Sequence, residues 1–246
     1  MKFHYFADLE ESSKALAAMI VRDNEKAIRE KDFHTLVLTG GNTPRLLYTL
    51  LGSEPFSKKI NWQKTFLFCG DERFVPYDHQ ESNYGMIHET LLANISIPAH
   101  NIYPIPALEN SPENTALMYE TILKEFFHKK MGPTVSIDNF PVFDTLLFGM
   151  GDDGHIASLF PGTPALEETK AWVTHVLPPD YVRPALPRIT LTLPVINHGQ
   201  AVYFHISGKK KLGIAQAIKD NPEAAAKKYP AARVRDAKSI SWLIVQ

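Results

Sequence analysis

The sequence predicts an α/β fold, a three-layer αβα arrangement around a mostly parallel, Rossmann-like sheet. Two observations carry that expectation. Short apolar runs alternate along the chain with longer stretches of helical periodicity, which is the rhythm of βαβ units. Four of those runs also pass into glycine and then into polar or charged residues, as parallel strands do where their carboxyl ends build a site.

The elements follow in order. Phe3 to Phe6 (FHYF) reads as a first strand, and Leu9 to Glu30 as a helix with Leu16, Met19, Ile20 and Ala27 spaced for one face. Thr35 to Leu38 (TLVL) is a strand running into TGGNTP, where Pro44 suits the first turn of a helix. Phe66 to Cys69 (FLFC) runs into GDERFVP. Ser111 to Lys130 reads as a helix with Pro112 in its first turn and Met131-Gly132-Pro133 ending it. Thr145 to Phe148 (TLLF) runs into GMGDDGH, after which His155 opens a short helical segment that Pro161 and Gly162 break. Ile189 to Leu193 (ITLTL) alternates as a strand, Val202 to Ile206 (VYFHI) runs into SGKKK, and Ser241 to Val245 (SWLIV) is the last strand. Strand, glycine, charge and helix start recur four times, so the four loops should gather on one rim of the sheet. Pro98 to Pro106 and Pro178 to Pro187 are short enough to be loops inside one domain spanning 1–246.

Composition sets outer bounds. A chain of 246 residues with 44% hydrophobic content can bury a sizeable core. A formal net charge of −1 supplies no basic field for nucleic acid or an anionic membrane. The start, MKFHYFADLEESSK, lacks a signal-peptide apolar region, and no apolar run approaches membrane-spanning length. Cys69 is alone and ends an apolar run, so a buried structural thiol is expected, and a cytoplasmic setting suits it.

Residues 149–154, Gly-Met-Gly-Asp-Asp-Gly, match the spelling of a dinucleotide fingerprint. Two aspartates would face an incoming pyrophosphate, and Pro161-Gly162 cuts the following segment short, so that reading is set aside. Asp152, Asp153 and His155 suggest a metal, but no partner motif of zinc-site spacing appears, and His34, His128 and His198 look like scattered surface or packing residues. No metal or cofactor is expected. His155 stands as an acid/base candidate: a helix N-terminus disfavours imidazolium, whereas Asp153 favours it and could hold one tautomer. A histidine that merely caps its helix is an equal alternative. Thr39 to Pro44 offers an anion cradle of backbone N–H groups, the Thr43 hydroxyl and a helix dipole. Lys209, Lys210 and Lys211 could close on the same anion, although such a triplet is usually a solvated face. Asp71, Glu72 and Arg73 place three charges at a buried strand end, which is costly unless they are paired or functional.

The combination GGNTP, GDERFVP, SNYGM, GMGDDGHIASLFPG, PRITLT and SGKKK, from about Leu36 to Leu212, resembles the 6-phosphogluconolactonase family. The resemblance implies a sugar-phosphate isomerase-like fold and cofactor-free hydrolysis of a small sugar-phosphate lactone by a monomer or homodimer. It implies His155 as general base, Asp153 orienting it, and Asp71 and Arg73 serving the chemistry. Gly149, Gly151 and Gly154 would form the glycine turn, and either its N–H groups or Arg73 would serve the oxyanion. Gly40, Gly41, Asn42, Thr43, Arg188 and Lys211 would hold the phosphate, and Asn83 would pack against or bond the Asp71 loop. Asn42 stands where the family usually has serine, and the chain ends without the family's common terminal motif. Two rivals are an amino-sugar-phosphate isomerase/deaminase on the same fold, against which Leu159-Phe160-Pro161 argues, and a sugar-phosphate-sensing module, which would have no need of His155 beside Asp153.

Overall fold

Uninterrupted apolar runs such as Phe66 to Cys69 need cover on both faces, and a parallel sheet clad in helices provides it. The computed structural model describes residues 1–106, 111–131 and 139–246. Its larger sheet has seven strands: β1 (Lys2–Phe6), β2 (His34–Leu38), β3 (Thr65–Cys69), β5 (Ile102–Tyr103), β6 (Thr145–Phe148), β9 (Ala201–Ser207) and β10 (Ile240–Val245). They lie in the order β1-β10-β9-β6-β2-β3-β5, every pair parallel. A smaller antiparallel sheet joins β4 (Asp71–Arg73), β8 (Arg188–Leu191) and β7 (Val173–Val176), in that order.

The helices are α1 (Leu9–Lys31), α2 (Thr43–Leu51), α3 (Phe56–Lys59), α4 (Asn83–Thr90), α5 (Pro112–Met131), α6 (Leu193–Asn197), α7 (Lys209–Asp220) and α8 (Pro222–Ala226). Capping sets where α1 begins: the Asp8 carboxylate accepts the Glu11 N–H at 2.8 Å. Its buried stripe contains Leu16, Ala17, Ile20 and Val21. Aromatic rings fill the layer between sheet and helices, with Phe68 against Phe126 and Phe143, and Phe204 stacked on Trp242 at 4.0 Å. Among the described residues no helix is long and apolar enough to cross a membrane.

Strand order reverses between β2 and β6. From β2 the chain works outward through β3 to β5, and from β6 the other way through β9 and β10. A crevice opens at such a point beyond the carboxyl ends of the strands, where Gly40 follows β2 and Gly149 follows β6.

Three expectations need correction. His155 opens no helix: residues 151–162 form successive turns, with Gly154 at φ +81° and Ala157 at φ +45°, and an isolated bridge joins Ile156 to Leu159. Both the helix dipole acting on His155 and the helix-cap alternative therefore fall away. The segment after FLFC does not lead into a helix start but forms β4, because its alternating side chains pair with β8. ITLTL ends as a strand at Leu191, since Leu193 already opens α6 and Thr192 turns its hydroxyl to the Ala171 carbonyl. The Gly132-Pro133 stop of α5 lies outside the described residues.

His34 is fully buried in a polar network. Its Nδ1 takes an N–H from Asn24 at 3.1 Å, which leaves Nε2–H for Thr145 Oγ1 at 2.9 Å. Burial pulls its pKa down to about 4, and burial does the same to His205. An unfolded histidine takes a proton below pH ~6.5, whereas these two refuse it until about pH 4. Their contribution is therefore intact above that range and is lost as pH falls through it, on the order of 3 kcal/mol for each. The urea midpoint should drop between pH 7 and pH 4.5, and less so in His34→Gln. A wild-type midpoint unchanged over that interval would contradict the account.

Candidate active site

The loops after β2, β3, β6 and β9, together with Arg188 on β8 and Asn83 on α4, surround one cavity of about 200 Å³. It is lined by Gly40, Gly41, Asn42, Thr43, Asp71, Arg73, Asn83, Gly149, Gly151, His155, Arg188 and Lys211. Asp153 and Gly154 are not among its lining residues, and Asp153 touches the lining His155.

The imidazole and its carboxylate are in contact. His155 Nδ1 lies 2.6 Å from Asp153 Oδ1, which also accepts the His155 backbone N–H at 3.1 Å. Burial raises the Asp153 carboxyl's pKa, but the His155 contacts and the Tyr181 hydroxyl at 3.0 Å outweigh it and hold the group at about 2. An ionised Asp153 fixes the proton on Nδ1 and leaves the Nε2 lone pair free. The Phe160 ring packs against the imidazole at 4.5 Å and lies 5.6 Å from the Arg188 guanidinium. Close approach explains Gly151: a Cβ there would fall 2.1 Å from His155 Nδ1.

Two N–H groups of the glycine turn are already engaged within it. The Gly151 N–H is taken by His155 O at 2.9 Å and the Gly154 N–H by Gly151 O at 3.0 Å. These two groups are therefore not oxyanion donors, contrary to expectation; Gly151 matters for space and Gly154 for its positive φ.

On the other wall, strand alternation sorts the three charges. Asp71 and Arg73 point to one side of β4 and Glu72 to the other. Glu72 is buried and accepts N–H groups from Arg73, Asn83 and Tyr84, each at 2.7 Å, and the Ser82 hydroxyl at 3.0 Å. It thus binds the start of α4 to β4. Burial still leaves its carboxyl pKa raised against those donors. Asp71, also buried, accepts from Ser158 Oγ at 2.7 Å and Asn83 Nδ2 at 3.3 Å. Asn83 Nδ2 also reaches the Asp71 carbonyl at 2.9 Å, and its side chain fills the space beside Gly40, where a Cβ would lie 1.8 Å from Asn83 Oδ1.

The cationic side is built from Arg73, Arg188 and Lys211. Arg73 and Arg188 are directly paired between β4 and β8, and the Nε of each is buried with no hydrogen-bond partner among the described residues. Burial makes Arg188 less basic than usual, with Asp71 partly offsetting it. Each Nε is thus open to an anionic group in the cavity. Of the three lysines only Lys211 lines the cavity, while Lys210 lies 3.8 Å from Asp152 on the surface. The β2–α2 loop is pinned by Tyr48, whose hydroxyl accepts from Thr39 N and donates to Thr39 O. Asn42 precedes α2 and makes no side-chain cap bond.

Glu72 is paired, as a charge at a buried strand end has to be, whereas the places of Ser158, Phe160, Tyr181 and His205 do not follow from the motifs. Glu72 and Ser158 lie inside the quoted motifs, and His205 is the one imidazole in an otherwise apolar run of its strand, which is a readable signal. Tyr181 leaves none. Among the described residues no group of three or more His, Cys, Asp and Glu side chains could hold a metal ion.

A family model described as glucosamine-6-phosphate isomerases/6-phosphogluconolactonase matches residues 7–242. A 6-phosphogluconolactonase of Synechocystis is 39% identical over 90% of this chain and 85% of its own length. A 6-phosphogluconolactonase structure from Trypanosoma brucei superposes with TM-score 0.83 at 28% identity, covering 99% of this chain and 95% of the other. A monomeric glucosamine-6-phosphate deaminase shares the fold, with TM-score 0.81 at 19% identity, covering 100% and 98%.

Proposed function

The chain belongs to the family of glucosamine-6-phosphate isomerases and 6-phosphogluconolactonases, and on that basis we propose that it hydrolyses 6-phospho-D-glucono-1,5-lactone to 6-phospho-D-gluconate in the oxidative pentose phosphate pathway. One observation carries the reading: an oriented His155–Asp153 dyad opens into the same cavity as Arg73, Arg188 and Lys211. A base with a free lone pair faces an anion-binding wall, which is what hydrolysis of a phosphorylated ester requires.

Nε2 of His155 takes a proton from water as the oxygen attacks the lactone carbonyl carbon C1. The negative charge that develops on the carbonyl oxygen is met by Arg73, whose Nε is unpartnered among the described residues. Collapse of the tetrahedral intermediate breaks the bond from C1 to the ring oxygen, and the His155 imidazolium returns its proton to that oxygen. Asp153 holds the tautomer and steadies the imidazolium. Asp71 holds Ser158 and Asn83 in place and can accept a sugar hydroxyl. The phosphate lies on Gly40, Gly41, Asn42 and Thr43 with Arg188 and Lys211 as cationic partners. The Leu159-Phe160-Pro161 spelling has a structural use here, since Phe160 supports both His155 and Arg188.

The direct test is loss of lactone measured against its spontaneous hydrolysis, at a pH where that background is slow. No acceleration would remove the reading, and release of ammonia from glucosamine 6-phosphate would replace it with the deaminase. Geometry supplies a second check. Gly151→Ala forces the imidazole aside, and displacements near 1 Å cost about 10²-fold, so its kcat/KM should fall on that scale with an unchanged melting temperature. Wild-type kcat/KM in this variant would show that the His155 position is not critical.

A further inference from the structure

His205 takes no part in the chemistry above, yet it lines the same cavity while being 4% exposed. Its Nε2 lies 2.9 Å from Ser12 Oγ, and Ser12 Oγ donates to the Leu9 carbonyl at 3.1 Å. The serine proton is thereby committed, so Ser12 accepts from Nε2–H and the lone pair of the neutral ring sits on Nδ1. Nδ1 is buried and has no hydrogen-bond partner among the described residues. Native interiors rarely leave such a group unmatched.

The surroundings suggest what would match it. Phe148 pairs with Phe204, so Gly149 follows beside His205, and a Cβ on Gly149 would meet nothing within 4 Å. That end of the cavity is open space. Lys211, which also lines it, stands in the first turn of the helix that follows β9.

We propose that His205 is a further substrate-binding residue whose Nδ1 shares one proton with the phosphate, so that phosphorylated ligands bind together with a proton. The inference rests on the phosphate placement given above. A phosphate dianion presents only acceptors, and so does Nδ1; two lone pairs meeting in a buried site repel, and one proton turns the encounter into a charge-assisted hydrogen bond. Above the second ionisation of the phosphate, near pH ~6, that proton must come from solvent. It is not already on the ring, because burial alone brings the His205 pKa down to about 4. The ionisable groups sharing the cavity are Asp71, Arg73, His155, Arg188 and Lys211; α1 presents the neutral Ser12 and β10 the apolar Leu243.

The test is titration calorimetry with sorbitol 6-phosphate, which has no carboxylate to disturb His155. It is run at pH 7.5 in two buffers of different ionisation enthalpy. Wild type should take up close to one proton per ligand. His205→Asn puts an amide near the Nδ1 position, able to donate without a proton from solvent; it should bind within a few-fold of wild type and lose the uptake. His205→Val should bind at least tenfold more weakly. No uptake by wild type, or equal uptake by wild type and His205→Asn, would overturn the proposal while leaving the phosphate site intact. Failure of wild type to bind sorbitol 6-phosphate, with unphosphorylated gluconolactone still turned over, would overturn the phosphate placement and this inference with it.

Discussion

His155→Ala should lose about 10²- to 10⁴-fold in kcat/KM, the usual contribution of a positioned general base, while its melting temperature stays near wild type. The imidazole is partly exposed and its main polar partner is Asp153, so its removal opens space toward the cavity rather than in the core. Asp153, held at about 2, stays ionised throughout the neutral range and cannot supply the catalytic titration itself. For unphosphorylated gluconolactone, where no substrate phosphate titrates, corrected kcat/KM should rise with pH along one ionisation and level off. That inflection should disappear in His155→Ala. Wild-type activity in the variant, or a flat wild-type profile, would move the base elsewhere, with Asp71 next in line.

Arg188→Ala should separate two substrates. A hydrogen bond to a charged group is worth roughly 1.5–3 kcal/mol, so kcat/KM for the phosphorylated lactone should fall about 10- to 150-fold. Turnover of unphosphorylated gluconolactone should change little. Asp71 loses its nearest buried cation in this variant, so some loss of stability is expected, and the ratio between substrates is therefore the readout. Lys211→Ala should act in the same direction but less, because Lys211 is half-buried and offers a single flexible ammonium. An equal loss on both substrates would show that Arg188 serves the reaction rather than the phosphate.

Much of the fold was legible because burial on both faces leaves a plain mark. TLVL, FLFC, TLLF and SWLIV became strands within one residue of the expected limits, and the rim shared by the loops after TLVL, FLFC, TLLF and VYFHI followed from those strands being parallel. The errors arose where local spelling and tertiary pairing disagreed. Asp71 to Arg73 carry three charges and look like loop, yet β8 recruits them as a strand, and only then does alternation separate Glu72 from its neighbours. Residues after Gly154 have apolar spacing suited to a helix, but the carbonyl of His155 turns back to Gly151 and the chain continues in turns. Ser158, Phe160 and Tyr181 reach the site through that path and through the proline-rich return from 178 to 187, which no local pattern specifies. Gly40 was legible as a cradle residue; that it also makes room for the Asn83 side chain depends on a contact between distant loops.

The pairing of β4 with β8 also limits how the gene can change in length. Arg73 faces Arg188 and Asp71 faces Thr190 across one ladder. A single-codon insertion in either strand would exchange parity, sending Glu72 into the cavity and turning Arg188 toward the opposite layer. Two codons would restore parity but displace the guanidinium by a full strand repeat. Length variation among descendants of this chain should therefore collect in connections such as residues 177–187 and spare residues 71–73 and 188–191, a pattern that would record the geometry of the anion site without any residue in it having to be compared.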